Sequence, residues 1–143
     1  MTLAKTLEDL HRLINRQWAK DGARLGISHS EFEYLRAIKA HESDRVCQDE
    51  HGQHLQDVVT AMGIRKASAS AMIAKLEKRG LVDRIPCRHD ARAQHILLTE
   101  KGREALGSGE KIYEAAVKTL RSQTGSQGFS MLAAVLEVDG SSR

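Results

Sequence analysis

The chain has 143 residues, 41% of them hydrophobic and 29% charged, with a formal net charge of +3. That length and balance fit one soluble domain with an ordinary core. No run approaches the roughly 18 apolar residues of a membrane span, and the start, with Glu8 and Asp9, lacks the apolar stretch of a signal peptide; a cytoplasmic location is expected.

A single proline predicts a mainly helical chain. Leu3, Leu7, Leu10, Ile14 and Trp18 recur at helical spacing, forming the apolar stripe of a first helix expected to end near Gly22. Ser28 followed by Glu31 has the form of a capping box and opens a second helix, with Phe32, Leu35 and Ile38 inward and an end near His41 to Ser43. Asp44 to Gly52 is polar and irregular and reads as a loop. His54 to Met62 reads as a short helix with Leu55, Val58 and Val59 inward, and Gly63 as the residue that ends it with a positive φ.

Lys66 to Arg79 reads as the next helix, with Ala69, Met72, Ile73 and Leu76 on its core face, and Gly80 stops it. Leu81 to Cys87 and Gln94 to Leu98 read as two strands joined by the polar turn Arg88 to Ala93. Thr99 is placed to cap a long helix from Glu100 to about Ser122. Its stripe is Leu106, Tyr113, Ala116, Val117 and Leu120, and Gly107 and Gly109 weaken it. A last short helix spans about Gly128 to Val138. The fold class is therefore mainly α with a small β-hairpin wing, a winged helix-turn-helix.

Charge is unevenly spread. Arg65 to Arg103 holds ten basic residues (Arg65, Lys66, Lys75, Lys78, Arg79, Arg84, Arg88, Arg92, Lys101, Arg103) against four acids (Glu77, Asp83, Asp90, Glu100), a surplus of six on a chain whose total is +3. A local basic region of this kind is an electrostatic footprint for nucleic acid, although a solvated basic surface carries the same signature. The Lys66 to Arg79 helix presents Ala67, Ala71 and Ala74 opposite its core face, so its backbone can lie deep in a major groove. Arg65, Lys66, Ser68, Ser70 and Lys75 flank these alanines with cations and hydroxyls suited to phosphates and base edges. At the hairpin tip, Arg88 and Arg92 flank Asp90; Arg92 suits a narrow minor groove, and Asp90 is placed to orient it.

These segments, IRKASASAMIAKLEKRGLVDRI and DARAQHILLTEKG, resemble the MarR family of bacterial transcription regulators. Leu76 to Val82 and Leu98 to Gly102 are the most specific runs; the flanking helices agree in order and pattern only. The resemblance implies a homodimer held by the terminal helices, residues 1–27 and 103–143, around a winged DNA-binding region at 28–102. Such a dimer is expected to bind a pseudo-palindromic operator on double-stranded DNA, as a repressor relieved by a small phenolic or carboxylate ligand. The family's DNA contacts fall on Arg65, Lys66, Ser68, Ser70, Lys75, Asp90 and Arg92. Arg65 departs from the small capping hydroxyl that the family often has there, and Asp44 to Gly52 looks like an insertion. The family's effector pocket falls on His11, Arg12, Ile14, Trp18, Phe32, Tyr34 and Tyr113, with Arg12, Arg16 or His11 as partners for an anion, against core packing or solvent exposure for each.

Other sensors are weighed beside this one. His41, Glu42, Cys47, His51 and His54 are zinc-type residues, but their spacing forms no tight motif, and no metal or cofactor is expected. Cys47 and Cys87 form no CxxC pair and read as two free thiols. Arg88 beside Cys87 suits a lowered thiol pKa, but the sensing cysteine of the family's peroxide sensors lies nearer the N-terminus, where this chain has none, so a redox sensor is the lesser reading. Enzyme signatures such as a Gly-rich phosphate loop, GxSxG or HExxH are lacking. A winged-helix module that binds protein and not DNA is the remaining rival, distinguished by a weak dependence on salt.

Overall fold

The computed structural model describes residues 2–42, 53–88 and 92–140. The expected loop Asp44 to Gly52, with Cys47 and His51, and Asp90 at the wing tip lie outside the described residues. In chain order the elements are α1 (Leu3–Leu25), α2 (His29–Ala40), β1 (Gln53–His54), α3 (Leu55–Met62), α4 (Lys66–Lys78), β2 (Val82–Pro86), β3 (Gln94–Leu98) and α5 (Glu100–Gly140). They divide into two compact units, one comprising the chain up to Asp21 and from Glu110 onward, the other Gly22–Gly109.

Within the second unit the local signals operate as expected. α1 runs past Gly22 to Leu25 and stops where Gly26 takes a φ of 70°, a left-handed conformation that costs glycine least. Ser28 caps α2: the Glu31 N–H donates to Ser28 Oγ and the Ser28 N–H donates to Glu31 Oε1, both at 3.1 Å. Thr99 caps α5 by accepting the Gly102 N–H at 3.0 Å, and its own hydroxyl donates to the Gly80 carbonyl at 2.6 Å.

The core of this unit gathers Phe32, Leu35, Ile38, Val58, Ile73, Leu76, Leu81, Val82 and Ile96, each 3% exposed or less. Burying a side chain of this size stabilises the fold by about 1.5–3 kcal/mol relative to leaving it in water. α3 turns inward mainly through Val58, while Leu55 and Val59 are half-buried.

The expected two-stranded hairpin is present as β2 and β3, and the wing gains a third strand. It is a three-stranded antiparallel sheet in the order β1-β3-β2, because Gln53 and His54 pair with Ile96 and His95 before α3 begins at Leu55. The helix expected from His54 therefore starts one residue later. β2 and β3 pair from Val82↔Leu98 to Pro86↔Gln94, and Cys87 N–H donates to Ala93 O at 3.1 Å to close the hairpin.

In the first unit, Trp18 is buried and meets Tyr113 edge to face, with ring centroids 5.7 Å apart. Ile112 and Ala116 are buried as well, whereas Leu3, Leu7, Val117 and Met131 remain exposed. The two expected C-terminal helices are both present within α5, parted at Gly125 (φ 73°, ψ 165°), three residues beyond the expected end of the first.

Candidate nucleic-acid interface

α4 has one face in the core and the opposite face in water. Ala69, Ile73 and Leu76 are 1% exposed or less, and Met72 is half-buried. At 3.6 residues per turn, Ala67, Ala71, Ala74 and Lys78 fall within about 60° of one another, directly opposite that buried face, and all four are exposed. Ser68 and Lys75 are exposed on one flank of the stripe, Lys66 is exposed on the other, and Ser70 is half-buried. Lys78 lies on the outward stripe itself; its spacing from Ala67, Ala71 and Ala74 was the signal that marks it.

Arg65 is the N-cap residue of α4, extended at φ −75° and ψ 140°, and its side chain makes no capping bond. The expected loss of a capping hydroxyl is thus met in the structure. The first N–H groups of α4 have no side-chain acceptor from the N-cap, and no acidic residue occupies the first turn. A helix start of this kind attracts an anion through its N–H groups and its dipole.

The hairpin holds Arg88 and Arg92 in exposed positions on either side of its tip. β2 is tied to α4 by an ion pair between Arg84 Nε and Glu77, which joins the wing strand to the helix beside it.

The basic surplus read along the sequence separates in space into two sets. Arg79 pairs with buried Glu31 and donates to the Gly26 carbonyl at 2.6 Å. Arg84 pairs with Glu77, and Arg103 grips Glu42 through both terminal nitrogens, one at 3.0 Å. That hydrogen bond to Glu42 is the leading reason the Arg103 guanidinium is held above its ordinary pKa. Lys101 Nζ donates to Arg79 O at 3.0 Å. These four cations serve the fold, while Arg65, Lys66, Lys75, Lys78 and Arg88 are exposed. Pairing between residues as distant as Glu31 and Arg79 leaves no local pattern, so charge counting along the chain did not separate the sets.

The expected effector residues are dispersed between the two units. His11 and Arg12 are exposed on α1, with Arg12 Nη2 3.8 Å from Glu8. Trp18 and Tyr113 are brought together; Ile14 and Tyr113 are half-buried. In the other unit Phe32 is fully buried under Gly109, and burial raises the pKa of the Tyr34 hydroxyl. A cavity of about 400 Å³ lies elsewhere in that unit, lined by Glu33, Arg36, Ala37, Ala40, His41, Ala61 and Met62. Of the weighed zinc residues, Glu42 is committed to Arg103, and the described residues contain no cluster of three or more metal-ligand side chains. Cys87 is buried beside the wing tip, an environment in which thiols are usually inert. Among the described residues, no helix is long and apolar enough to cross a membrane.

Residues 25–93 match the model of the MarR family. The chain is 28% identical over 103 residues to the transcriptional repressor MprA of Escherichia coli K12, covering 72% of this chain and 50% of the repressor. It therefore spans about half the length of that curated relative. Its fold is similar to that of apo wild-type MarR from E. coli, with a TM-score of 0.78 at 15% identity over 96% of both chains. It is similar also to MepR of S. aureus in its crystal structure with DNA, with a TM-score of 0.70 at 20% identity over 100% of this chain and 99% of the other. The expectation of a regulator and not an enzyme agrees with these names. The chain is thus similar to the MarR family of transcription regulators over residues 25–93, and it shares its winged-helix fold with these solved structures along its whole length.

Proposed function

We propose that the protein binds double-stranded DNA sequence-specifically as a homodimer, with α4 in the major groove and the wing over the adjacent backbone or minor groove. The observation that carries this reading is the two-faced α4: Ala69, Ile73 and Leu76 in the core, and an alanine stripe flanked by Lys66, Ser68 and Lys75 in water. Small side chains permit close approach to base edges; the flanking cations and the open helix start serve phosphates. Arg65, Lys66, Ser68, Ser70, Lys75, Arg88, Asp90 and Arg92 are the assigned DNA-contacting residues. Arg92 and Asp90 act as the wing pair, and S. aureus MepR, similar in fold, has been crystallised with DNA.

Residues 1–27 and 103–143 are assigned to dimerisation. Leu3, Leu7, Val117 and Met131 are exposed apolar side chains in these segments, and a second copy would remove them from water. A two-fold dimer presents two copies of α4, so the operator is pseudo-palindromic with half-sites one helical turn apart. The protein acts in the cytoplasm as a repressor relieved by a small phenolic or carboxylate ligand.

Selection of bound fragments from genomic and random DNA with purified protein tests this reading. Recovered fragments are expected to share a two-fold element, and affinity is expected to fall steeply with salt. Arg92→Ala is expected to weaken binding to many sequences alike, whereas Ser70→Ala and Lys66→Ala shift site preference. No enrichment, or binding insensitive to salt, overturns the DNA assignment. Sedimentation at several concentrations tests the dimer, and titration of aromatic acids into the DNA complex tests the effector.

A further inference from the structure

We infer that Arg79 and Glu31 form a positioning joint for the recognition helix, setting DNA affinity without touching DNA; this rests on the DNA-binding reading above. The joint begins at the α2 cap. Glu31 is 4% exposed and uses both carboxylate oxygens: Oε1 accepts the Ser28 N–H at 3.1 Å, and Oε2 accepts Arg79 Nη1. The second prong of the guanidinium, Nη2, donates to Gly26 O at 2.6 Å. One planar fork thus grips both the turn before α2 and the first turn of α2.

The backbone at the same point is gripped from the other side. Arg79 O accepts Lys101 Nζ at 3.0 Å, Gly80 O accepts the Thr99 hydroxyl at 2.6 Å, and Leu81 O accepts the Thr99 N–H at 3.1 Å. Three consecutive residues at the exit of α4 are therefore held by the α1–α2 turn and by the start of α5. Gly102 fits here because a Cβ on it would press into the Leu81 backbone, 3.1 Å from its carbonyl carbon.

α4 reads DNA toward its N-terminal end and is fixed at its C-terminal end. Its 13 residues make it about 20 Å long at 1.5 Å per residue. A rotation of about 5° at the joint moves the far end by roughly 2 Å, more than a hydrogen bond to a base tolerates. The orientation of the Arg65–Ser70 end is thus set by a pair at the opposite end of the helix.

The alternative role for Arg79, given its place in a basic segment, is a phosphate contact. The two roles differ in sign and in slope. A phosphate contact is replaceable by lysine and contributes about 0.9 to the slope of log K against log salt. A forked joint is not replaceable by lysine, which offers one charged head in place of two prongs. Glu31→Gln removes a negative charge, so electrostatics alone tightens DNA binding; loss of the joint weakens it.

The test uses the full-length protein and a fragment selected by the wild type, at a temperature where circular dichroism shows every variant folded. Glu31→Gln and Arg79→Lys are each expected to lose about tenfold in affinity for the selected site. Affinity of both variants for unrelated duplex is expected not to fall and the salt slope to stay at the wild-type value, while Lys75→Ala lowers the slope by about 1.8, one phosphate contact of about 0.9 from each protomer of the dimer. Equal or tighter specific binding by Glu31→Gln, or full rescue by Arg79→Lys, overturns the joint. If either variant is not folded, the other decides. Wild-type protein that selects no fragment sinks the DNA reading itself; wild-type binding with Glu31→Gln unaffected sinks only this inference.

Discussion

Gly107 and Gly109 stand two residues apart in α5, and both lower helix propensity, yet replacing them with alanine is expected to have opposite effects. At Gly107 a Cβ meets nothing within 4 Å. Gly107→Ala therefore gains helix propensity without a clash, about 0.5–1 kcal/mol of stabilisation. At Gly109 a Cβ would enter the Phe32 ring, 2.5 Å from Cε2 and 2.8 Å from Cγ. Carbon atoms pack at about 3.5–4.0 Å, so the ring must retreat by roughly 1 Å or more. Phe32 is fully buried, and its Cγ is not a flexible tip that swings aside. Overpacking of this kind costs on the order of 3 kcal/mol. For a chain of 143 residues each kcal/mol moves Tm by about 2–4 °C, so Gly109→Ala is expected to lower Tm by roughly 6–12 °C and Gly107→Ala to raise it by about 1–4 °C. Thermal melts followed by circular dichroism at one protein concentration measure both. A Tm for Gly109→Ala at or above wild type would refute the close seating of α5 on α2.

Three further outcomes are expected. Thr99→Ala removes the acceptor for the Gly102 N–H and the donor to Gly80 O; the loss is about 1–2 kcal/mol, read as a lower midpoint in urea with unchanged m. Lys75→Ala lowers the slope of log K against log salt by about 1.8 if each of the two copies in a dimer neutralises one phosphate, and an unchanged slope in filter-binding titrations removes Lys75 from the interface. The exposed Ala67, Ala71 and Ala74 suit contact with thymine methyl groups. Replacing thymine by uracil at major-groove positions of a selected site is therefore expected to weaken binding several-fold in competition assays, and equal competition by the uracil duplex would exclude such contacts.

What was legible in the sequence was the set of features that depend on near neighbours along the chain. The Ser28–Glu31 box, the positive φ at Gly63 and the inward set Ala69, Ile73 and Leu76 each follow from a period or a spacing of a few residues. The outward face of α4 followed as its complement. Features made by distant parts of the chain were not legible. β1 is two residues long, too short for alternation to register, and exists only because β3 offers Ile96 and His95 as partners. Gly109 read as a helix breaker because Phe32, which requires the vacancy, is 77 positions away. The basic residues carried the same charge in the sequence whether they face Glu31, Glu42 or solvent, so their division required the fold.

The short strand β1 has a consequence for how the protein tolerates change. Gln53 and His54 fasten the chain to β3 immediately before α3. The helix-turn-helix begins after the fastening, so its register is insulated from insertions upstream. A peptide inserted between α2 and β1 is thus expected to leave α3 and α4 in place.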